Sequence, residues 1–369
     1  MNILHLSGVN GWGGGENHIE NLCHELSQSH PEIKNIIFCV KKSPFHKKLK
    51  ATDLGFVTAK LNIKLDPLYA NKLIKICKKR NINIIHIHDP TALQLAIIAD
   101  KLAKLPPFVF SKKTSFKIKK RKKTLFKYNY PKIKKILCVS DETKRIAEKA
   151  IEKREKLLTI YHGTNLKTKS DLTPFLLRQE YNIDKETCIV GNIANHIEAK
   201  NLDTLINVAN RIVNKKKRTD FIFVQIGTFT KLTPPLLERV EALHLKKNML
   251  FLGYMPNASN FIPQFDMCLM TSESEGIPQF IYESMYHKKP VVSTDVGGIP
   301  EVIENEKNGL LAPKYDDKLL AKHILKLHES SQLVEQFTTV GYEKLVENFT
   351  TDIMVQKTLD VYKQILKKA

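Results

Sequence analysis

The sequence predicts an α/β fold made of two doubly wound parallel-sheet domains, and three observations carry that expectation. Short apolar runs rich in Ile, Val and Phe alternate with longer amphipathic segments along the 369 residues, the pattern of parallel strands covered on both faces by helices. The length exceeds what one hydrophobic core usually supports. A polar, irregular stretch with Gly163 at its start and Pro174 within it then interrupts the alternation, which restarts at about Cys188.

In the first half, strands are expected at Asn2–Ser7, Ile36–Val40, Ile84–His88, Phe108–Phe110, Ile136–Val139 and Leu158–Tyr161, separated by helical stretches such as Asn17–Gln28 and Leu68–Lys79. Second-half strands are expected at Cys188–Ile193, Phe221–Ile226, Met249–Leu252, Met267–Met270 and Pro290–Ser293, with helices at Leu202–Val213, Pro278–Tyr286 and Leu319–His328. The expected division is a first domain over 1–165, a linker over 166–187 and a second domain over 188–350. A final helical segment, 351–369, would cross back to the first domain.

Composition narrows the function classes. Met1–Ser7 reads as a strand and not as a basic-then-apolar leader, and no apolar stretch reaches spanning length. Cys23, Cys39, Cys77, Cys138, Cys188 and Cys268 are scattered, with no CxxC pair or metal spacing, as expected of reduced cysteines in a cytoplasmic protein. The net charge of +21 favours an acidic partner: nucleic acid, an anionic membrane surface or a phosphorylated substrate. A Lys-, Asn- and Ile-rich composition of the kind codon bias produces supplies part of that excess, so charge alone names no partner.

Three loops at strand-to-helix edges carry candidate chemistry. In Ser272–Met285, Glu275 and Glu283 stand eight positions apart across a loop-to-helix junction. Gly276 and Pro278 favour a tight turn and a helix start, which aims free N–H groups and a positive dipole end at an anion such as pyrophosphate. Ionised carboxylates accept hydrogen bonds from sugar and ribose hydroxyls; the alternative is a solvated helix with a capping Glu. Asn10–Glu16 is glycine-rich and precedes a helix, but lacks both GxGxxG spacing and a P-loop lysine, so a phosphate contact and a flexible turn stay equally open. Gly191–Leu202 places Lys200 at the carboxyl edge of a strand, where ligands bind doubly wound sheets and where an ammonium can neutralise a leaving diphosphate. A solvent-facing lysine at a helix start is the alternative.

Taken together, these loops resemble the GT-B glycosyltransferases, specifically retaining family 4, also called glycosyl transferases group 1. The resemblance rests on Glu275 and Glu283 at Glu-x(7)-Glu spacing, on Lys289–Glu301 and Asn308–Pro313, and more loosely on the glycine loop, Ile85–His88 and Ile160–Gly163. It implies two Rossmann-like domains facing a central cleft and a sugar-nucleotide donor held by the C-terminal domain. Glu283 would take the ribose hydroxyls and Glu275 the donor sugar, with Lys200 and the backbone of Gly276, Ile277, Pro278 and Gln279 around the diphosphate. Gly13, Gly14 and Gly15 would reach the donor from the other domain. Front-face attack with retention, without a protein base, is also implied.

The chain departs from the family pattern twice. Asn195 stands where members carry Arg, so it brings a hydrogen bond but no charge to the donor. Ser111-Lys112-Lys113-Thr114 stands where many have a His, and Lys112 or Lys113 is a candidate to compensate. The absence of an Asp-x-Asp motif fits a transferase that needs no metal or other cofactor. Lys112, Lys113, Lys119, Lys120, Arg121, Lys122 and Lys123, interleaved with aromatics, suggest an acceptor-side or anionic-membrane contact; nucleic acid would use the same charges, and a solvated loop is the alternative. The expected activity is transfer of a sugar, from a donor taken to be UDP-linked, to a bacterial surface glycan or lipid-linked oligosaccharide. Expected partners are that donor, the acceptor and an anionic membrane surface, with no nucleic acid, and the expected place is the cytoplasm or the inner face of its membrane. An epimerase of the same fold and a catalytically weak GT-B binding protein are the alternatives.

Overall fold

The computed structural model describes residues 1–63, 65–166 and 173–367. The chain divides into two compact units, Met1–Thr164 with Phe349–Ala369, and Asn165–Asn348. The linker expected over 166–187 lies partly outside the described residues.

The first unit holds a seven-stranded parallel sheet of β1 (Asn2–Leu6), β2 (Lys34–Val40), β3 (Phe56–Ala59), β4 (Ile84–Ile87), β5 (Phe108–Lys112), β6 (Ile133–Cys138) and β7 (Leu157–Thr159), in the order β3-β2-β1-β4-β5-β6-β7. The chain runs outward from β1 to β3, then returns to β4 on the other side of β1. The carboxyl ends of β1 and β4 are therefore the switch point of this sheet. Asp66 and Asp89, each followed by Pro, cap the helices Pro67–Lys79 and Pro90–Leu102 through their carboxylates, as Asx-Pro starts do.

The helix Thr351–Lys367 completes this unit. Its Met354, Val355, Leu359, Tyr362 and Ile365 are buried against Ile3, Leu22, Leu26, Ile84 and Val109, and Thr164 pairs with Thr350 where the chain returns.

The second unit repeats the plan with six strands: β8 (Cys188–Ile193), β9 (Phe221–Ile226), β10 (Met249–Phe251), β11 (Met267–Met270), β12 (Val291–Thr294) and β13 (Leu310–Ala312), ordered β10-β9-β8-β11-β12-β13. Its switch point lies between β8 and β11. Val190, Phe223, Leu269 and Val292 fill its core beneath the helices Leu202–Asn210 and Asp317–His328.

The strands β3 and β13 go beyond the sequence reading. Both lie at sheet edges and are short, four and three residues, and every residue of the first three positions of β3 is only half-buried, so neither shows the long apolar run that marks a central parallel strand. The helix expected over Leu202–Val213 continues as a π-turn at Arg211–Lys215.

Candidate functional site

In the second unit the loops after β8, β11 and β12 converge at the switch point. Lys200 closes a 3₁₀ turn, Glu198–Lys200, and is followed by Asn201 in the left-handed region. Its ammonium donates to Glu275 Oε1 at 2.5 Å, and Ser272 Oγ donates to the same oxygen at 2.7 Å. Both charged side chains are largely enclosed, Glu275 at 10% and Lys200 at 19% exposure, so bulk water screens the pair less than a surface pair.

The backbones beneath this pair are laced together. Glu273 N–H donates to Ala199 O at 2.8 Å. Thr271 Oγ1 donates to the Lys200 and Asn201 carbonyls, and Thr294 Oγ1 donates to Ser272 O at 2.7 Å. Gly298 N–H donates to Gly276 O at 2.8 Å. Gly297 has φ +60°, and a Cβ there would lie 1.9 Å from Glu275 O, so only glycine lets the β12 loop support the carboxylate loop this closely. Pro278 then caps the helix Gln279–Tyr286 without a side-chain hydrogen bond, which leaves its first amides to a ligand or water. Glu283 lies half-buried in that helix.

Asn195 has a structural task. Its Oδ1 accepts from Thr228 N–H at 3.0 Å, while a Cβ at Gly227 would sit 1.9 Å from Ala194 O, so Asn195 ties the turn after β9 to the loop after β8. The neighbouring His196 is buried between Thr233 Oγ1 at 2.8 Å and Gln225 Oε1 at 2.7 Å, and burial lowers its pKa.

The first unit builds a different site at its own switch point. Gly13 caps the helix Gly14–Ser29 with no side-chain bond. Lys113, which follows β5, donates to Gly15 O at 2.7 Å. Around it stand five buried imidazoles: His5, His18, His86, His88 and His162. His5 Nδ1 pairs with His88 Nε2 at 3.1 Å, and His86 bridges Tyr362 OH at 2.6 Å and Ser111 Oγ at 2.7 Å. His18 stacks on His162 with ring centroids 4.0 Å apart.

Desolvation keeps these rings neutral, aided by the Lys113 charge: His5 is lowered to about 4 and His162 to about 3. Burial pushes the Lys113 ammonium itself down to about 8. His5, His86 and His88 lie close enough to share a metal ion, yet His5 Nδ1 is committed to His88 and both His86 nitrogens to Tyr362 and Ser111. The trio reads as a hydrogen-bonded network beside an ammonium, a setting that disfavours a further cation.

Family profiles match both units. Residues 184–330 match "Glycosyl transferases group 1", and residues 12–168 match "Glycosyltransferase Family 4". The chain belongs to the group 1 glycosyltransferases. Among relatives of this glycosyltransferase, N-acetyl-alpha-D-glucosaminyl L-malate synthase of Bacillus anthracis is 23% identical over 310 residues, 82% of this chain and 80% of the relative. UDP-Gal:alpha-D-GlcNAc-diphosphoundecaprenol alpha-1,3-galactosyltransferase of Escherichia coli is 23% identical over 304 residues, 79% of this chain and 77% of the relative. Anabaena HepE, solved in complex with UDP-glucose, superposes with a TM-score of 0.85 at 19% identity, covering 99% of this chain and 100% of that one; the architecture is GT-B.

The basic segment of the glycosyltransferase divides in two. Lys119, Lys120, Arg121, Lys122 and Lys123 are exposed, close in sequence to Phe116 at 62% and Phe126 at 51% exposure. Lys112 turns inward and donates to the carbonyls of Thr114 and Phe116, and Lys113 faces the glycine loop, so neither belongs to the exposed patch. The helices of the described residues include none long and apolar enough to cross a membrane. Sequence reasoning gave no role to Ser272, Thr294 and Gly297, which brace Glu275, or to His5 and His18, which complete the imidazole cluster. The Ser three positions before the Glu-Gly pair was a readable signal for the first; nothing in the spacing of His5 and His18 marks the second.

Proposed function

We propose that this glycosyltransferase moves a sugar from a UDP-linked donor to a hydroxyl of a bacterial glycan or lipid-linked acceptor, with retention at the anomeric carbon and without a divalent ion. The observation that carries the reading is the enclosed Lys200–Glu275 pair at the switch point of the second sheet, 2.5 Å across and braced from three loops. In this reading the Lys200 ammonium neutralises the diphosphate as the glycosidic C–O bond breaks, a charge that grows toward the transition state. Glu275 holds Lys200 in place and accepts from donor-sugar hydroxyls. Glu283 accepts from the ribose hydroxyls, and the amides of Gly276, Ile277 and Gln279, at the uncapped start of their helix, receive phosphate oxygens. Asn195 contributes its amide group from the turn it secures.

The donor assignment is supported by the UDP-glucose bound to HepE, and the acceptor class by the diphosphoundecaprenol-linked substrate in the name of the E. coli relative. The exposed basic segment Lys119–Lys123, with Phe116 and Phe126 near it, is proposed to rest on an anionic membrane beside such an acceptor. A melting-shift panel of nucleotides and sugar nucleotides tests the donor, because a ligand of the folded state raises the midpoint with its affinity. UDP-sugars should raise it most, and turnover should persist in EDTA with an α-configured product. A GDP- or ADP-sugar preference, loss of turnover in EDTA, or an inverted product would each overturn the corresponding part.

A further inference from the structure

We propose that Lys113 is a positioning residue of the glycosyltransferase, whose ammonium straps the glycine loop and the first turn of the helix Gly14–Ser29 to the carboxyl edge of β5. On its own side the loop is held by Trp12, which packs against Phe45 with the Lys48 ammonium over its ring, and by the Glu16 carboxylate, which accepts from Gly13 N–H. Gly13 provides no side-chain cap, and a Cβ at Gly14 would meet nothing within 4 Å. The Lys113 Nζ–Gly15 O bond at 2.7 Å spans from the edge of one strand to the helix that follows another.

The groups facing this ammonium come from every element around it. Glu16 and Cys23 lie on the helix and Asp89 on the turn after β4, and all three favour its charge. Against them stand His5 of β1, His18 of the helix, His86 of β4, His88 just after it and His162 beyond β7, whose protonation the ammonium opposes. Asp89 is already occupied: its oxygens accept from Gly8, Thr91 and Ala92 N–H. That leaves Lys113 as the cation bonded to the loop's own backbone, beside the Glu16 carboxylate at Gly13.

A neutral amine keeps a weak donor but loses the charge-assisted bond to Gly15 and the attraction to Glu16. Burial brings deprotonation to about pH 8, so the strap should slacken at mildly alkaline pH while an ordinary lysine, near 10.5, is still charged. Arginine stays protonated throughout this range.

The test uses the full chain of wild type, Lys113→Arg and Lys113→Met, and reads two quantities from pH 6.5 to 10. The first is hydrogen exchange of the Glu16–Ile19 amides, corrected for the intrinsic pH dependence. Wild type should lose protection about tenfold with a midpoint near pH 8, Lys113→Arg should keep it through pH 10, and Lys113→Met should lack it at every pH. The second is kcat/KM for sugar transfer, the only part that rests on the proposed function. It should fall on the same alkaline limb in wild type, and that limb should move beyond pH 10 in Lys113→Arg. Flat wild-type protection through pH 10, or an unmoved midpoint in Lys113→Arg, would overturn the proposal. Should Lys113→Arg distort the site, wild-type protection in Lys113→Met would overturn it alone. If exchange behaves as expected but no sugar nucleotide turns over, the functional reading fails and the strap stands.

Discussion

The two units place their polar machinery at the same topological position and charge it differently. At the switch point of the second sheet, opposite charges meet directly, Lys200 on Glu275. At that of the first, a single ammonium, Lys113, is set among five buried rings held neutral by desolvation. The cation at the first site therefore sits among rings that lose by being charged, with Glu16 and Asp89 as acidic neighbours, whereas the cation at the second is paired directly with a carboxylate. The second is suited to neutralising a growing negative charge; the first is suited to tethering the glycine loop through the Lys113–Gly15 bond. The lesson is that a repeated βα plan fixes where ligands bind, while the side chains at the loop ends decide what is bound.

The largest expected effect sharpens the contrast at the second site. Lys200→Ala should lower kcat by about 10²- to 10³-fold, the range for removing one charge-stabilising donor, and should also lower the melting midpoint because Glu275 is left enclosed without its cation. Steady-state rates under saturating donor check it; a fall of less than threefold would remove Lys200 from the chemistry. Next in size is Glu283→Ala, which should raise the apparent donor KM roughly ten- to a hundredfold, as for losing a hydrogen bond to a charged group, with kcat less affected. Equal losses in kcat and kcat/KM would instead give Glu283 a transition-state role.

Gly297→Ala probes the bracing of Glu275. Its φ of +60° and the contact with Glu275 O forbid a Cβ without movement of the carboxylate loop, so destabilisation of about 1–3 kcal/mol should accompany a loss of transfer. Denaturant melts and rates on the same samples decide, and a neutral result would show that the β12 loop does not set the position of Glu275.

The first unit should respond to acid more strongly than the second, where burial lowers only His196 and His323 among the described residues. Its imidazoles are neutral when folded and gain protons when unfolded, so their contribution is complete above the ordinary value near 6.5. It is lost as pH falls from there toward about 4 for His5 and about 3 for His162. Each ring costs roughly 1.4 kcal/mol per pH unit within its window. Trp12, the single tryptophan, lies in this unit, so its fluorescence during urea unfolding from pH 7.5 to 5 reports the decline. A midpoint independent of pH would contradict the buried neutral cluster. The smallest effect is expected from Lys120→Gln alone, which should weaken binding to anionic vesicles by about 1 kcal/mol and leave binding of soluble donor unchanged.

The same contrast explains what the sequence reveals. The alternation of apolar runs showed the repeated sheets, and the Glu275–Glu283 spacing with Lys200 at a strand end pointed to the second site, because these groups lie in contiguous motifs on loops. The ion pair itself joins residues 75 positions apart, and its braces come from a third loop. The imidazole cluster was legible only in part: Ile85–His88 and Ile160–Gly163 entered the resemblance, but nothing showed that they gather with His5 of β1, His18 of the helix Gly14–Ser29 and Tyr362 of the returning C-terminal helix. Periodicity reports which face a residue occupies but not which distant residues share that face. The edge strands β3 and β13 escaped for a simpler reason, being too short to show a pattern.

The most direct measurement of the central claim is calorimetric titration of UDP and UDP-sugars into full-length wild type, Glu275→Gln and Lys200→Ala. The account predicts that wild type binds at one site, that Lys200→Ala weakens both ligands at least tenfold, and that Glu275→Gln weakens the UDP-sugar more than UDP. Unchanged affinities in both variants would contradict it, because the enclosed pair would then lie outside the donor site.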